Sequence, residues 1–175
     1  SKEPAPNVIV SVDNSGSMGT SGMTALKNAL KATFDPSFIE DGRIRMAYQS
    51  MWTCSENSAI PHFNPNYDTS LNSSTADKYN TSCNGFVPMA PLSGSISDKT
   101  SHRGKFFTWI DTLVHKNGTP THAMMRNAGE YLKVTGSNSA WNAIPGIADS
   151  KPIACRRAYH IMMTEGGSHY FNDMP

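Results

Sequence analysis

Residues 7–19, NVIVSVDNSGSMG, set an aspartate and two alternating serines, Asp13, Ser15 and Ser17, directly after a mostly β-branched apolar run. Alternate positions of an extended turn point the same way, so one carboxylate and two hydroxyls can converge on one point. These are hard oxygen donors, suited to Mg²⁺, Mn²⁺ or Ca²⁺ and poor for zinc or copper. A cation held by so few protein oxygens keeps positions open for another loop, for water or for a ligand's carboxylate. Thr119 in GTP and Glu165 in TEG supply matching chemistry further along the chain. The competing reading is a cap and turn, where Asp and Ser are also favoured.

Catalytic chemistries fit the same residues less well. An aspartyl phosphatase of the haloacid type also begins on a strand-end aspartate, but it needs a second acid two residues on. Ser15 stands there, so the general acid is missing. A serine hydrolase needs G-x-S-x-G, and GSMG lacks that spacing. Of the six histidines, His102, His115 and His160 read as surface or helix-face residues. His122 lies three residues after Thr119 and reads as a helix N-terminal residue bonding a neighbouring loop. The expectation is binding, not an enzyme.

The elements that must position these groups alternate between the two periods. Residues 8–12 form a short continuous apolar strand of the kind buried on both faces. MTALKNALKATF, residues 23–34, spaces Leu26, Leu30 and Phe34 four apart with Ala29 alongside, which predicts an amphipathic helix ended by Asp35-Pro36. RIRMAYQSMW, residues 43–52, alternates Ile44, Met46 and Tyr48 with polar neighbours and predicts a second strand. Residues 53–100 read as a long polar insertion with a short strand at GFVPM, residues 85–89. RGKFFTWIDTLVHK, residues 103–116, predicts a helix burying Phe106, Ile110 and Leu113 with Phe107 and Val114 beside them. GTPTHAMMRNAGEYLK, residues 118–133, predicts a turn and a third helix with Met124, Ala128, Tyr131 and Leu132 inward. AYHIMMTEGG, residues 158–167, is another apolar strand ending in oxygen-bearing residues and glycine. Met124, Met125, Met162 and Met163 read as core filling, and Met18 as an exposed residue closing the turn.

Strand, helix, strand, helices, strand predicts an α/β fold, a doubly wound and mostly parallel sheet flanked by helices. Ligands in such sheets sit beyond the carboxyl ends of the strands, where strand order reverses. Both oxygen-rich clusters lie at strand ends, so they are expected to meet.

The chain of 175 residues suits one domain. With 15 Lys and Arg against 14 Asp and Glu, it has no strong field to recruit nucleic acid. No apolar run approaches the roughly 20 residues of a membrane-spanning helix, so no direct membrane insertion is expected. Three cysteines are present. Cys54 and Cys83 bracket a polar stretch unable to pack a core, so a bridge between them is sensible and would indicate an oxidising compartment. Two unrelated thiols are the alternative. Cys155 is left over, its partner expected outside the chain.

VDNSGSMG, residues 12–19, resembles the metal-ion-dependent adhesion site of von Willebrand factor A domains. Residues 102–132 and ACRRAYHIMMTEGG, residues 154–167, resemble PilC/PilY-type proteins, large adhesins of type IV pilus tips. The likeness covers about the first 50 residues and residues 101–167, but not the insertion. It implies a Rossmann-like von Willebrand A domain over residues 1–175, with Asp13, Ser15, Ser17, Thr119 and Glu165 as metal ligands. Glu165 stands where the family usually has aspartate, one methylene longer. The domain's last strands and helices and the family's β-propeller region do not follow, which implies a fragment. The resemblance also implies export through the periplasm to the pilus tip or cell surface. Implied partners are a host-surface or extracellular-matrix protein and the minor pilins. The rival expectation is a module that primes pilus assembly or senses force, its metal purely structural.

Overall fold

The computed structural model describes residues 3–51, 86–115, 118–119, 121–145, 147 and 151–166. In chain order these form β1 (Asn7–Val12), α1 (Gly19–Thr33), β2 (Arg45–Ser50), β3 (Phe86–Pro91), α2 (His102–Thr112), α3 (Thr121–Lys133) and β4 (Ala158–Met163). Short 3-10 turns occupy Gly16–Met18 and Gly136–Asn138. The sheet order is β3-β2-β1-β4. β1 is parallel to both neighbours, with Val10 opposite Tyr48 on one side and Ile161 on the other. β3 runs antiparallel to β2. This is the expected α/β architecture, a mostly parallel sheet flanked by helices.

Helices cover both faces of the sheet. Val8, Val10, Val12, Met46 and Tyr48 pack with Leu26 and Leu30 from α1, with Phe34 at its C-cap, and with Phe106, Trp109 and Ile110 from α2. On the opposite face Ile9 and Ala47 meet Ala128 and Tyr131 of α3. All six residues of β2 are therefore buried, Arg45 and Gln49 included, in place of the alternation with polar neighbours that the sequence suggested. Buried polar groups need partners. The Gln49 amide donates to Ser11 Oγ at 2.7 Å and to the Met124 carbonyl at 2.8 Å. Arg45 Nη1 donates to Asn7 Oδ1 at 3.0 Å and to the Ala140 carbonyl at 3.1 Å.

Several expectations need correction. α1 begins at Gly19, a turn earlier than the apolar spacing suggests, and Met23 extends its buried stripe while Ala29 is exposed. Val114, which lies beyond the end of α2 at Thr112, and Met125 are also exposed. Met18, expected to be exposed, is partly buried against the α1 side of the core. β4, the apolar strand expected from residues 158–167, is an edge among the described residues, with Tyr159 half exposed and Ile161 nearly so. The suggested strand at residues 85–89 exists as β3, starting one residue later and ending two residues later. Cys54 and Cys83 lie outside the described residues. Cys155 is free and exposed, in the left-handed region at φ 61°. Among the described residues no helix is long and apolar enough to cross a membrane.

Candidate functional site

β1 is the point where the chain's course reverses. It leaves through α1 to β2 on one side, and later returns as β4 on the other. In open α/β sheets the carboxyl ends of two such strands form the binding crevice. Asp13 follows β1 and Thr164 follows β4, and because the strands are parallel the two residues come together. The Asp13 N–H donates to the Met163 carbonyl at 2.8 Å, continuing the ladder past the end of both strands.

The Asp13 side chain is fully buried. Its Oδ1 accepts the backbone N–H of Ser15 at 2.8 Å, closing a tight turn within the loop. Its Oδ2 accepts the hydroxyl of Thr164 at 2.8 Å. That hydroxyl oxygen in turn accepts the Gly166 N–H at 3.0 Å. Ser15 Oγ and Ser17 Oγ stand 3.1 Å apart, Ser15 buried and Ser17 exposed. The 3-10 turn Gly16–Met18 then leads directly into α1.

The connection from α2 to α3 reaches the same end of the sheet. Asn14 Nδ2 donates to the Val114 carbonyl at 3.1 Å. Thr119 is buried there, and its carbonyl accepts the Thr121 N–H at 2.9 Å as α3 begins. His122, in the first turn of α3, is exposed. Glu165 is exposed too, and its neighbour Thr164 is the residue bonded to Asp13. The structure thus gathers Asp13, Ser15 and Ser17, adds Thr164, buries Thr119 in the adjoining loop and leaves Glu165 at the solvent edge. Sequence reasoning passed over Thr164 and Asn14. A hydroxyl placed immediately after an apolar strand, one residue before the acid, was the available signal for the former.

The donors present fit a hard cation. Each Asp13 oxygen keeps lone-pair capacity beyond the bond it accepts, and both serine hydroxyls can act as neutral ligands. Among the described residues no three His, Cys, Asp or Glu side chains gather around a point, so an ion here depends on hydroxyl oxygen.

One neighbouring pair looks catalytic and is not built that way. Ser11 Oγ lies 2.7 Å from His160 Nε2, two residues ahead of Asp13. Ser11 is fully buried and also accepts from Gln49, so no substrate reaches it. The pair ties β1 to β4 beneath the crevice. Partial burial holds the His160 imidazole below its usual pKa.

By architecture the chain is an open α/β protein with an oxygen-lined crevice at its reversal point. No family model matches it, and no solved structure does. A segment of 65 residues is homologous to the type IV pilus biogenesis factor PilY1 of Pseudomonas aeruginosa. It is 45% identical to the protein of strain PAK, covering 37% of this chain and 6% of that protein. Against strain PAO1 the identity is 43% and against strain UCBPP-PA14 it is 37%, over the same length. The matched segment spans only 5–6% of the length of these curated relatives.

Proposed function

We propose that this chain belongs to a type IV pilus-associated factor and that the Asp13 loop is a cation-dependent binding site of the von Willebrand A kind. The homologous segment supports the pilus association. The observation that carries the binding role is the convergence of Asp13, Ser15 and Ser17 at the reversal point of the sheet. Asp13 would supply the charge and Ser15 and Ser17 neutral oxygens, with Thr119 and Glu165 as the further donors from adjoining loops. A bound Mg²⁺, Mn²⁺ or Ca²⁺ offers an electrophilic position to an external carboxylate. The partner is then an acidic group on a minor pilin or on a host-surface or matrix protein, met at the pilus tip or cell surface. The work is binding, not catalysis. A Cys54–Cys83 bridge belongs to the same exported setting.

Calorimetry with Mg²⁺ and Mn²⁺ on the wild type and Asp13→Ala tests the site. Undiminished affinity in the variant would remove Asp13 from it. A second reading draws on the complete burial of Asp13, which suits an ion that holds loops together during pilus assembly or under force. A soluble acidic peptide separates the two, since it competes with partner binding only where the ion itself receives the partner. Peptide mapping without reductant decides the cysteines, and two free thiols would count against the bridge.

A further inference from the structure

We infer that Thr164, not Glu165, is the residue of the β4 loop that positions the Asp13 carboxylate for a cation. This rests on the reading of the Asp13 loop as a cation site. A fully buried carboxylate must have its oxygens engaged, because leaving one bare in a low-dielectric setting is costly. The bond to Oδ1 comes from Ser15, two residues on, and so fixes the carboxylate only against its own loop. The bond to Oδ2 comes from a residue 151 positions away. Of these two bonds, it is the one that sets the rotation of the carboxylate against the neighbouring strand.

Three features make Thr164 a fixed donor. Its hydroxyl oxygen accepts the Gly166 N–H, which leaves the hydroxyl hydrogen for Asp13. Its β-branched side chain has few χ1 choices. The backbone bond from Asp13 N–H to the Met163 carbonyl sits one residue away, so two adjacent links clamp the strand ends together. A hydroxyl bonded to a carboxylate is also among the stronger hydrogen bonds. Thr164 and Glu165 are both exposed, and it is the Thr164 hydroxyl that reaches the buried Asp13 carboxylate. Thr164 is a positioning residue: it need not touch the ion to decide where the charge of Asp13 stands. Without it the carboxylate can rotate, and part of the binding energy goes into reordering it.

The test is Mn²⁺ titration by calorimetry on the full-length protein, counting only binding that Asp13→Ala abolishes. Thr164→Val is expected to weaken that binding about tenfold or more, the ratio expected for one hydrogen bond to a charged group. Thr164→Ser, which keeps the oxygen, restores it, and Glu165→Gln loses less than Thr164→Val. Thermal unfolding without metal is read alongside. A Thr164→Val protein that unfolds earlier yet binds Mn²⁺ as tightly as the wild type overturns the inference, as does a greater loss in Glu165→Gln. Should Thr164→Val fail to fold, Thr164→Ala removes the same hydroxyl with a smaller side chain and is judged by the same outcomes. If the wild type shows no Asp13-dependent binding, the cation reading itself fails and takes this inference with it.

Discussion

The imidazole Nε2 of His102 lies 2.7 Å from the carbonyl oxygen of Met46, where the register of β2 against β3 slips. The carbonyl accepts, so Nε2 carries the hydrogen in a neutral ring that rests 5.8 Å from the Tyr48 ring. Burial, reinforced by Lys105, pushes the pKa down to about 4, against a pull upward from the bond to Met46. Above the unfolded value of 6.5 neither state holds the proton. As pH falls from 6.5 toward 4, the unfolded chain binds a proton that the folded protein refuses, so stability is lost.

That linkage predicts a fall of about 3 kcal/mol in unfolding free energy between pH 7 and pH 4. Denaturant unfolding at several pH values checks it. His102→Gln keeps a donor but cannot titrate, and should flatten the slope. His160 shifts in the same direction, so some slope should remain. The carboxylates of Asp35, Asp41 and Asp98, each held low by its hydrogen bonds, act below this window.

Arg103 is predicted to be a strong point of the α2 docking. Its side chain is fully buried, with Nη1 bonded to Asp41 Oδ1 at 2.5 Å and to the Gly94 carbonyl at 3.0 Å, and Nη2 bonded to the Ile39 carbonyl. Arg103→Ala leaves these acceptors without their donor and should cost about 3 kcal/mol. Arg103→Lys should recover little, because an ammonium cannot span the same fork. Chemical denaturation of the three proteins decides it.

Two glycines are predicted to respond oppositely to alanine. A Cβ on Gly104 would come within 1.8 Å of the Asp98 carbonyl oxygen, in the turn that Ser101 caps by accepting the Gly104 N–H. Gly104→Ala should therefore destabilise by about 3 kcal/mol, as overpacking does. A Cβ on Gly129 of α3 meets nothing within 4 Å. Gly129→Ala should stabilise by about 0.5–1 kcal/mol through helix propensity. Thermal melts of the pair should shift in opposite directions.

Tyr131 is predicted to hold β3 in place. Its hydroxyl accepts the Met89 N–H at 2.7 Å, and its ring meets Phe86 edge-on with centroids 4.8 Å apart. Tyr131→Phe keeps the ring contact but strands a buried N–H, at a cost of about 1–2 kcal/mol. Slower amide exchange at Met89 in the variant than in the wild type would contradict it.

The sheet and its helices were legible because apolar spacing is a strong signal where a helix covers a face. Leu26, Leu30, Phe106, Ile110, Met124 and Ala128 all fall inward as their spacing suggests. Arg45, Gln49 and Arg103 were not legible, because a long polar side chain is buried only where particular carbonyls and amides receive it. Those partners, such as Ala140, Met124 and Ile39, come from distant elements. In the crevice, the Asp13 loop stood out by its own spacing. The link to Thr164 did not, since nothing local shows which of two adjacent residues faces a strand 151 positions earlier.

β1 is the central strand of the three parallel ones, yet its partner β4 lies some 150 residues later in the chain. A nascent chain emerging N-terminus first has β1 and β2 available early, but one edge of β1 stays bare until β4, some 150 residues later, has been made. Contacts of such long sequence separation form slowly, since the intervening chain must be closed into a loop first. NVIVSV is meanwhile a β-prone, uncharged six-residue segment, the type that pairs with copies of itself when exposed. The same pairing that joins Asp13 to Thr164 therefore leaves the crevice incomplete until β4 has been made. Holding β1 apart from other chains until β4 arrives becomes a requirement for making the protein at all.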